Sequence, residues 1–175
     1  DFRARTEGAP WLGMSIPELA RLESVLLVGS TLRKEQPLLA ARLRGAAKRG
    51  LRLSLLHVTE DDLLMPVAHR SIVRPGALAG GLAEIAKGAD RDGTIAASLK
   101  SKRSAIVLGH YAQQHPDYAV LLAMAQELGR VTGATVGVIP QELTDLTLQS
   151  IDLEAPDLRR RGGPRAVLGI DAEGI

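Results

Sequence analysis

Three consecutive carboxylates, Glu60, Asp61 and Asp62, are the side chains whose type and position most readily suggest chemistry. They follow an apolar run, and an acidic residue after the second strand of a dinucleotide-binding fold commonly holds a ribose. The phosphate-binding half of that motif is missing, because Gly29 is followed by Ser-Thr-Leu-Arg-Lys-Glu-Gln and the chain has neither G-x-G-x-x-G nor G-x-x-x-x-G-K-[ST]. We therefore predict that the carboxylates form a solvated strand end or a helix cap, with ribose binding as the alternative.

Metal binding and nucleophilic catalysis have weaker support. His110 and His115 are five residues apart on a predicted loop, which is not the spacing of a helical metal pair, and the nearest carboxylate is Asp117. Ser30 follows a glycine after an apolar run, but the nucleophile elbow G-x-S-x-G is absent. We expect Ser30 and Thr31 to satisfy backbone groups of a turn or to cap the next helix. No catalytic residue and no metal ligand are predicted.

Composition excludes several classes of site and partner. The 175 residues contain no cysteine, so this chain can form no disulfide, thiolate zinc site or cysteine-bound iron–sulfur cluster. Its 22 basic and 20 acidic residues give a net charge of only +2, and no aromatic residues interleave the basic run at 159–165. No signal peptide and no uncharged span long enough for a bilayer is evident. We predict no nucleic-acid partner and no direct membrane insertion.

The elements that would position these residues occur twice. Ser24 to Gly50 and Ser104 to Gly133 each contain a short apolar run, a glycine, a polar loop, and an alanine- and leucine-rich segment that follows a proline. The runs lack alternation, which is typical of strands buried on both faces of a parallel sheet. Pro37 and Pro116 suit the first position of a helix. The pattern predicts an α/β fold of repeated βαβ units around a mostly parallel sheet.

Domain organisation follows from this repeat. We predict a lead-in arm with a short helix from Ser15 over residues 1–23, and an α/β domain of two βαβ units over 24–139. Within it, Leu63 to Arg74 is expected to be a mixed connection, and Pro75 to Lys87 and Thr94 to Leu99 to be helical. An irregular connection at 140–165 and the start of a further strand at 166–175 would follow. We expect the chain to be a fragment of a longer protein.

Several runs resemble a known family: Gly8 to Leu19, Leu22 to Pro37, Ala46 to His57, Leu64 to Arg70, and Leu108 to Pro116. They look like the large iron–sulfur subunit of bacterial NADH–quinone oxidoreductase, a complex of the respiratory chain. The resemblance covers about residues 1–138. It departs after Gly137, where PQELTDLT replaces the expected stretch, and we expect some intervening sequence to be missing before 166–174.

The resemblance implies a three-layer piece of the molybdopterin oxidoreductase fold. In that superfamily the loop after the first strand usually reads Gly-Ser-Asn or Gly-Thr-Asn and helps to hold the guanosine dinucleotide part of the pterin. Here it reads Gly29, Ser30 and Thr31, and Gly109 and His110 are the candidates from the second unit. Thr31 replaces the asparagine, and the strand ending in His57 lacks the usual Asp-Pro-Arg. These departures imply that the fold was kept and the molybdopterin cofactor lost.

The function implied is that of a noncatalytic structural domain within an oxidoreductase complex. The iron–sulfur clusters would be held by an upstream part of the subunit, and the partners would be that part and other peripheral-arm subunits at the cytoplasmic face of the inner membrane. The alternative is a cofactor-binding domain of an oxidoreductase that uses molybdopterin guanine dinucleotide. An enzyme needs open strand ends, whereas a scaffold can fill them with side chains such as Arg33, Lys34 or Tyr111.

Overall fold

The predicted buried strands form the centre of a parallel sheet. The structure is a computed structural model that describes residues 12–88 and 94–140. Its strands are β1 (Ser24–Val28), β2 (Arg52–His57), β3 (His69–Ile72), β4 (Ser104–Leu108) and β5 (Thr135–Val138). They lie in the order β3-β2-β1-β4-β5, and every neighbouring pair is parallel. The predicted α/β class with a mostly parallel sheet is confirmed.

Helices connect the strands of both predicted units. The described helices are α1 (Ile16–Leu19), α2 (Leu32–Glu35), α3 (Pro37–Ala47), α4 (Leu78–Ala86), α5 (Thr94–Leu99), α6 (His110–Gln114) and α7 (Tyr118–Thr132), with a 3-10 turn at Pro75–Ala77. Thus β1-α3-β2 and β4-α7-β5 are the repeated βαβ units. None of the helices in the described ranges is long and apolar enough to cross a bilayer.

Alternate residues of each central strand pack on opposite faces of the sheet, and this produces the predicted three layers. Val25 and Leu27 pack with the apolar faces of α1 and α3, while Leu26 and Val28 pack with α4 to α7. All five residues of β1 are buried. Because both faces are covered, these strands need uninterrupted apolar sequences.

The predicted helix boundaries are mostly confirmed. Ser15 caps α1 in a capping box, in which Glu18 accepts from the Ser15 backbone N–H at 2.8 Å. Pro37 is the first residue of α3, and Gly133 ends α7 with φ 81°. The prediction that Pro116 begins a helix is wrong: it lies between α6 and α7, just before the Asp117 cap of α7.

Three short elements lie where the sequence predicts connections. β3 falls within the segment predicted as a mixed connection, and its residues are alternately half-buried and exposed because it is the last strand of the sheet. The helices α2 and α6 occupy the predicted polar loops after β1 and β4. The predicted arm before residue 12, the connection beyond Pro140 and the strand at 166–175 lie outside the described residues.

The strand register brings three loops to one edge. Val28, the last residue of β1, is level with Leu56 of β2 and with Leu108 of β4. All strands run in one direction, so the segments that follow β1, β2 and β4 leave the sheet side by side at its carboxyl edge.

Candidate functional site

The point where β1 and β4 lie side by side is the topological switch point of the sheet. From β1 the chain proceeds outward through β2 to β3, and from β4 it proceeds the other way to β5. In open α/β sheets the loops at such a point diverge and leave a crevice in which ligands bind. Gly29 and Gly109, each the first residue after its strand, stand at this position.

In this protein the two loops contact each other directly. The Gly109 N–H donates to the Val28 carbonyl at 2.9 Å, and the Ala112 N–H donates to the Gly29 carbonyl at 3.2 Å. A Cβ atom added to Gly29 would lie 2.7 Å from the Ala112 nitrogen, and one added to Gly109 would lie 2.6 Å from the Gly29 oxygen and overlap Ser30. Gly29 also has φ 57°, which favours glycine. Backbone therefore fills the base of the crevice.

Above this contact, the carboxylate of Glu35 joins the two loops. It accepts hydrogen bonds from the Ser30 hydroxyl at 2.9 Å, the Thr31 backbone N–H at 2.7 Å and the Thr31 hydroxyl at 3.0 Å. It also accepts from the His110 backbone N–H, across the switch point, at 3.2 Å. We call these four groups and their acceptor the Glu35 clasp. Three of the five predicted site residues thus donate to one carboxylate, and the two predicted glycines directly precede them.

The clasp determines what the switch point can bind. A phosphate at this edge would be held by hydroxyl and backbone N–H donors, and here those donors already bind the protein's own carboxylate. A bound diphosphate would also lie against the negative charge of Glu35. The residues present therefore do not fit a dinucleotide diphosphate between Gly29 and Gly109.

A second set of hydrogen bonds ties the end of β5 to the same loops. The Pro140 carbonyl accepts from the buried Gln36 amide at 3.1 Å and from Nε2 of His110 at 3.2 Å. The Gln113 amide donates to the Ile139 carbonyl at 2.8 Å. The ends of β1, β4 and β5 are therefore held together by side chains from α6 and from the residue between α2 and α3.

The side chains predicted to fill a closed site have other partners or face solvent. Arg33 donates to the Asp62 carbonyl, and Lys34 is exposed. Tyr111 packs edge-on against His57, with ring centroids 5.6 Å apart. These three side chains therefore do not close the switch point, and the clasp does so instead.

The helix-capping role predicted for Ser30 or Thr31 is wrong. Thr31 is the residue before α2, but its side chain makes no capping hydrogen bond to that helix. Both hydroxyls donate to Glu35, because that carboxylate folds back from the last residue of α2 onto the start of the loop.

The end of β2 differs from the switch point because its polar groups lack partners. His57 is 1% exposed, and neither ring nitrogen has a hydrogen-bond partner among the described residues. The Oδ2 atom of Asp61 is also buried and unpartnered there. Burial lowers the pKa of His57 from its usual 6.5, and the nearby charges of Glu35 and Asp61 oppose that shift. His57 is thus held neutral in a site with two carboxylates nearby.

The other two carboxylates after β2 have structural roles. Glu60 pairs with Arg70 of β3 at 2.9 Å, and an oxygen of Asp62 accepts from the Leu64 N–H at 2.8 Å. Leu64 has φ 52°, an uncommon conformation for leucine, and this hydrogen bond helps to hold it. Glu60 and Asp62 are both exposed, which agrees with the prediction of a solvated strand end, and neither caps a described helix.

The remaining histidines are all hydrogen-bonded. His115 receives the Asp117 N–H at Nδ1 and donates from Nε2 to the Pro75 carbonyl, and Nδ1 of His69 lies 3.2 Å from the Thr94 hydroxyl. Within residues 12–88 and 94–140, no group of three or more His, Cys, Asp or Glu side chains has a metal-binding arrangement. Among the described histidines, His57 is therefore the one whose ring nitrogens have no hydrogen-bond partner.

Sequence reasoning missed Glu35 and the state of His57. Glu35 lies four residues after Thr31, a separation that lets its carboxylate fold back onto the start of the same loop. That spacing is visible in the sequence, but only the tertiary contact with His110 shows what it does. For His57, its place at the end of a strand buried on both faces is the available signal.

Most of the chain matches a known family. A model described as molybdopterin oxidoreductase matches residues 2–158, which is most of the chain and includes every residue of the switch point. No curated protein matches the chain significantly.

Proposed function

Because this chain belongs to the molybdopterin oxidoreductase family, we propose that it is a noncatalytic form of that domain. In this proposal it is a structural part of the large iron–sulfur subunit of a bacterial NADH–quinone oxidoreductase. Electron transfer would be carried out by the parent complex. The Glu35 clasp is the observation that carries the proposal.

The clasp supports loss of the pterin dinucleotide from this switch point. Binding of a cofactor phosphate would require Glu35 to release Ser30, Thr31 and His110, and would place two like charges together. The close contact between Gly29 and the second loop would also have to open. A domain that only supports its neighbours has no need of that opening, and its stability benefits from the closed arrangement.

A packing role is further supported by exposed apolar side chains around the carboxyl edge. Leu38 and Val120 lie in the first turns of α3 and α7, both of which begin at that edge. Leu64 follows β2, and Ile72 is the last residue of β3. We propose that this edge faces the cluster-bearing remainder of the same subunit or another peripheral-arm subunit, at the cytoplasmic face of the inner membrane.

The test uses the full-length parent protein, tagged in its own cell and purified gently from membranes. We expect NADH–quinone activity, flavin and abundant iron to copurify with it, and molybdenum to stay at the level of an untagged control preparation. Stoichiometric molybdenum together with a pterin would overturn the proposal. It would favour the alternative function, a domain that binds molybdopterin guanine dinucleotide in a working oxidoreductase.

A further inference from the structure

The amino edge of the sheet, where the strands begin, lies opposite the switch point and carries many basic side chains. Seven exposed cations lie within four residues of the start of β1, β2 or β4. We call them the amino-edge cations: Arg21, Lys48, Arg49, Arg52, Lys100, Lys102 and Arg103.

Backbone hydrogen bonds place the segments that carry these cations side by side. The Arg52 N–H donates to the Glu23 carbonyl at 3.0 Å, and the Glu23 N–H donates to the Arg103 carbonyl at 2.8 Å. Since β2, β1 and β4 are neighbours in the sheet, Arg52 and Arg103 are two strand spacings apart, or about 10 Å. The Arg49 guanidinium donates to the Ala20 carbonyl at 3.1 Å, which joins the end of α1 to the same surface. The amino-edge cations therefore form one continuous surface.

Few of these positive charges are neutralised within the described protein. Glu23 pairs with Arg103 at 2.9 Å, and Glu18 is engaged by Ser15 in the capping box of α1. Four of the amino-edge cations have side chains with no hydrogen bond or ion pair among the described residues: Lys48, Arg52, Lys100 and Lys102.

Helix ends account for only part of this concentration of charge. Lys48 and Lys100 directly follow α3 and α5, where a cation offsets the partial negative charge of a helix C-terminus. Arg52 begins a strand, and Lys102 lies beyond the last turn of α5. The whole chain has a net charge of only +2, so its positive charge is segregated to this edge. Like charges on one surface repel one another, which lowers the stability of the isolated fold and favours a partner that neutralises them.

We propose that the amino edge is a docking surface for an acidic surface of a separate protein chain. Glu23 lies between Arg52 and Arg103, where it would repel a row of phosphates from a nucleic acid or from lipid headgroups. The segments 20–24, 48–52 and 100–104 also contain no aromatic residue on which bases could stack. A protein partner can place carboxylates against the cations and a basic side chain against Glu23.

The partner is assigned to another chain because of where this chain's own acidic run begins. Residues 141–157 contain acidic but no basic residues. They follow Pro140, whose carbonyl is bound by Gln36 and His110 at the opposite, carboxyl edge of the sheet. The inference rests on the charges of this chain and is independent of its proposed place in a respiratory complex.

Zero-length cross-linking of the full-length parent protein, purified gently from membranes, tests the docking surface. A carbodiimide joins a lysine Nζ to a carboxylate that it contacts. We expect Lys48, Lys100 and Lys102 to be joined to Asp or Glu residues of another polypeptide, identified by mass spectrometry of the linked peptides. The absence of such cross-links would overturn the proposal. So would cross-links only to carboxylates of the parent chain itself, such as Glu142 or Asp145.

Two double variants with the same change in net charge separate a specific surface from general attraction. The variant Arg52→Glu, Lys102→Glu reverses two amino-edge cations, and Arg42→Glu, Arg74→Glu reverses two exposed arginines outside this surface. We expect the first variant to lower the cross-linking yield at Lys48 and Lys100 about tenfold, because partner carboxylates then face like charges. The second should leave the yield unchanged. Equal yields in the two variants, each shown to be folded by circular dichroism, would overturn the proposal.

Binding to phosphates is measured with the same proteins. The wild type is mixed with duplex RNA, and separately with phosphatidylglycerol vesicles, at about 0.15 M salt, where long-range attraction is screened. We expect no binding of either probe at the amino edge. Binding that is lost in Arg52→Glu, Lys102→Glu and kept in Arg42→Glu, Arg74→Glu would assign the edge to a polyanion and overturn the proposal.

Discussion

The two halves of the carboxyl edge satisfy their polar groups to very different degrees. At the ends of β1 and β4, each donor around Glu35 has an acceptor, and the loops touch through glycine backbone. At the end of β2, both nitrogens of His57 and one oxygen of Asp61 are buried without a partner among the described residues. Polar groups inside proteins are nearly always hydrogen-bonded. The unpartnered groups at the end of β2 therefore lower the stability of the fold, whereas the hydrogen-bonded groups at the ends of β1 and β4 do not. The Glu35 clasp stabilises the ends of β1 and β4, and the end of β2 remains sensitive to the charge of His57.

The largest effect is expected from breaking the contact between the loops. Gly109→Ala places a Cβ against the Ser30 backbone and Cβ and the Gly29 oxygen, none of which is a flexible side-chain end. We expect a loss of about 3 kcal/mol in the free energy of unfolding, at the upper end for overpacking. Chemical denaturation measures it. Gly80→Ala, at an exposed helical site with open space around the added atom, is the matched control and should stabilise slightly. Equal stabilities of the two variants would contradict the described contact.

Removing the acceptor should have the next largest effect. Glu35→Ala leaves the Ser30 hydroxyl and the Thr31 and His110 N–H groups without their charged acceptor. Since hydrogen bonds to charged groups are the stronger ones, we expect a loss of about 2 kcal/mol in unfolding free energy, again measured by chemical denaturation. Lys34→Ala, at the exposed neighbouring position, should be unchanged. A Glu35→Ala variant as stable as Lys34→Ala would show that the clasp contributes nothing.

Removing the unpartnered ring should act in the opposite direction. His57→Leu replaces two buried nitrogens that lack partners with an apolar side chain of similar size. At neutral pH we expect a gain of about 1 kcal/mol in unfolding free energy, because the desolvation cost of the nitrogens disappears. His115→Leu is the control, since that ring is hydrogen-bonded at both nitrogens and its loss should destabilise. Destabilisation of similar size in both variants would mean that His57 has a partner.

The smallest expected effect is a pH dependence of stability. The pKa of His57 is lower in the folded than in the unfolded protein, so unfolding takes up a proton as the pH falls below 6.5. The contribution of the neutral ring is complete above that pH and is lost progressively as the pH falls from there to the folded pKa. The difference in unfolding free energy between wild type and His57→Leu should therefore widen on acidification through this range. A constant difference would exclude a lowered pKa.

The sequence predicted the central strands and helices better than it predicted the contacts at the carboxyl edge of the sheet. The βαβ units were predicted from uninterrupted apolar runs such as Val25 to Val28, and from Pro37 and Gly133, which mark a helix start and a helix end. These are local signals in the sequence. β3 was missed because three of its four residues are polar, so it lacks the apolar run that marks the other strands. The five candidate site residues were predicted from the glycines and the family resemblance, and the structure places all five at the switch point. Glu35 was missed because its role depends on His110, which lies 75 residues away along the chain.

The central claim is that the Glu35 clasp closes the switch point to nucleotide phosphates. Isothermal titration calorimetry of the full-length protein with guanosine diphosphate at neutral pH tests it directly, with Glu35→Gln measured in parallel. We predict no binding heat for the wild type, since its loop donors are engaged by Glu35. Stoichiometric binding to the wild type that is lost in a Ser30→Ala, Thr31→Ala double variant would contradict the account, because those hydroxyls would then bind phosphate rather than the protein's own carboxylate.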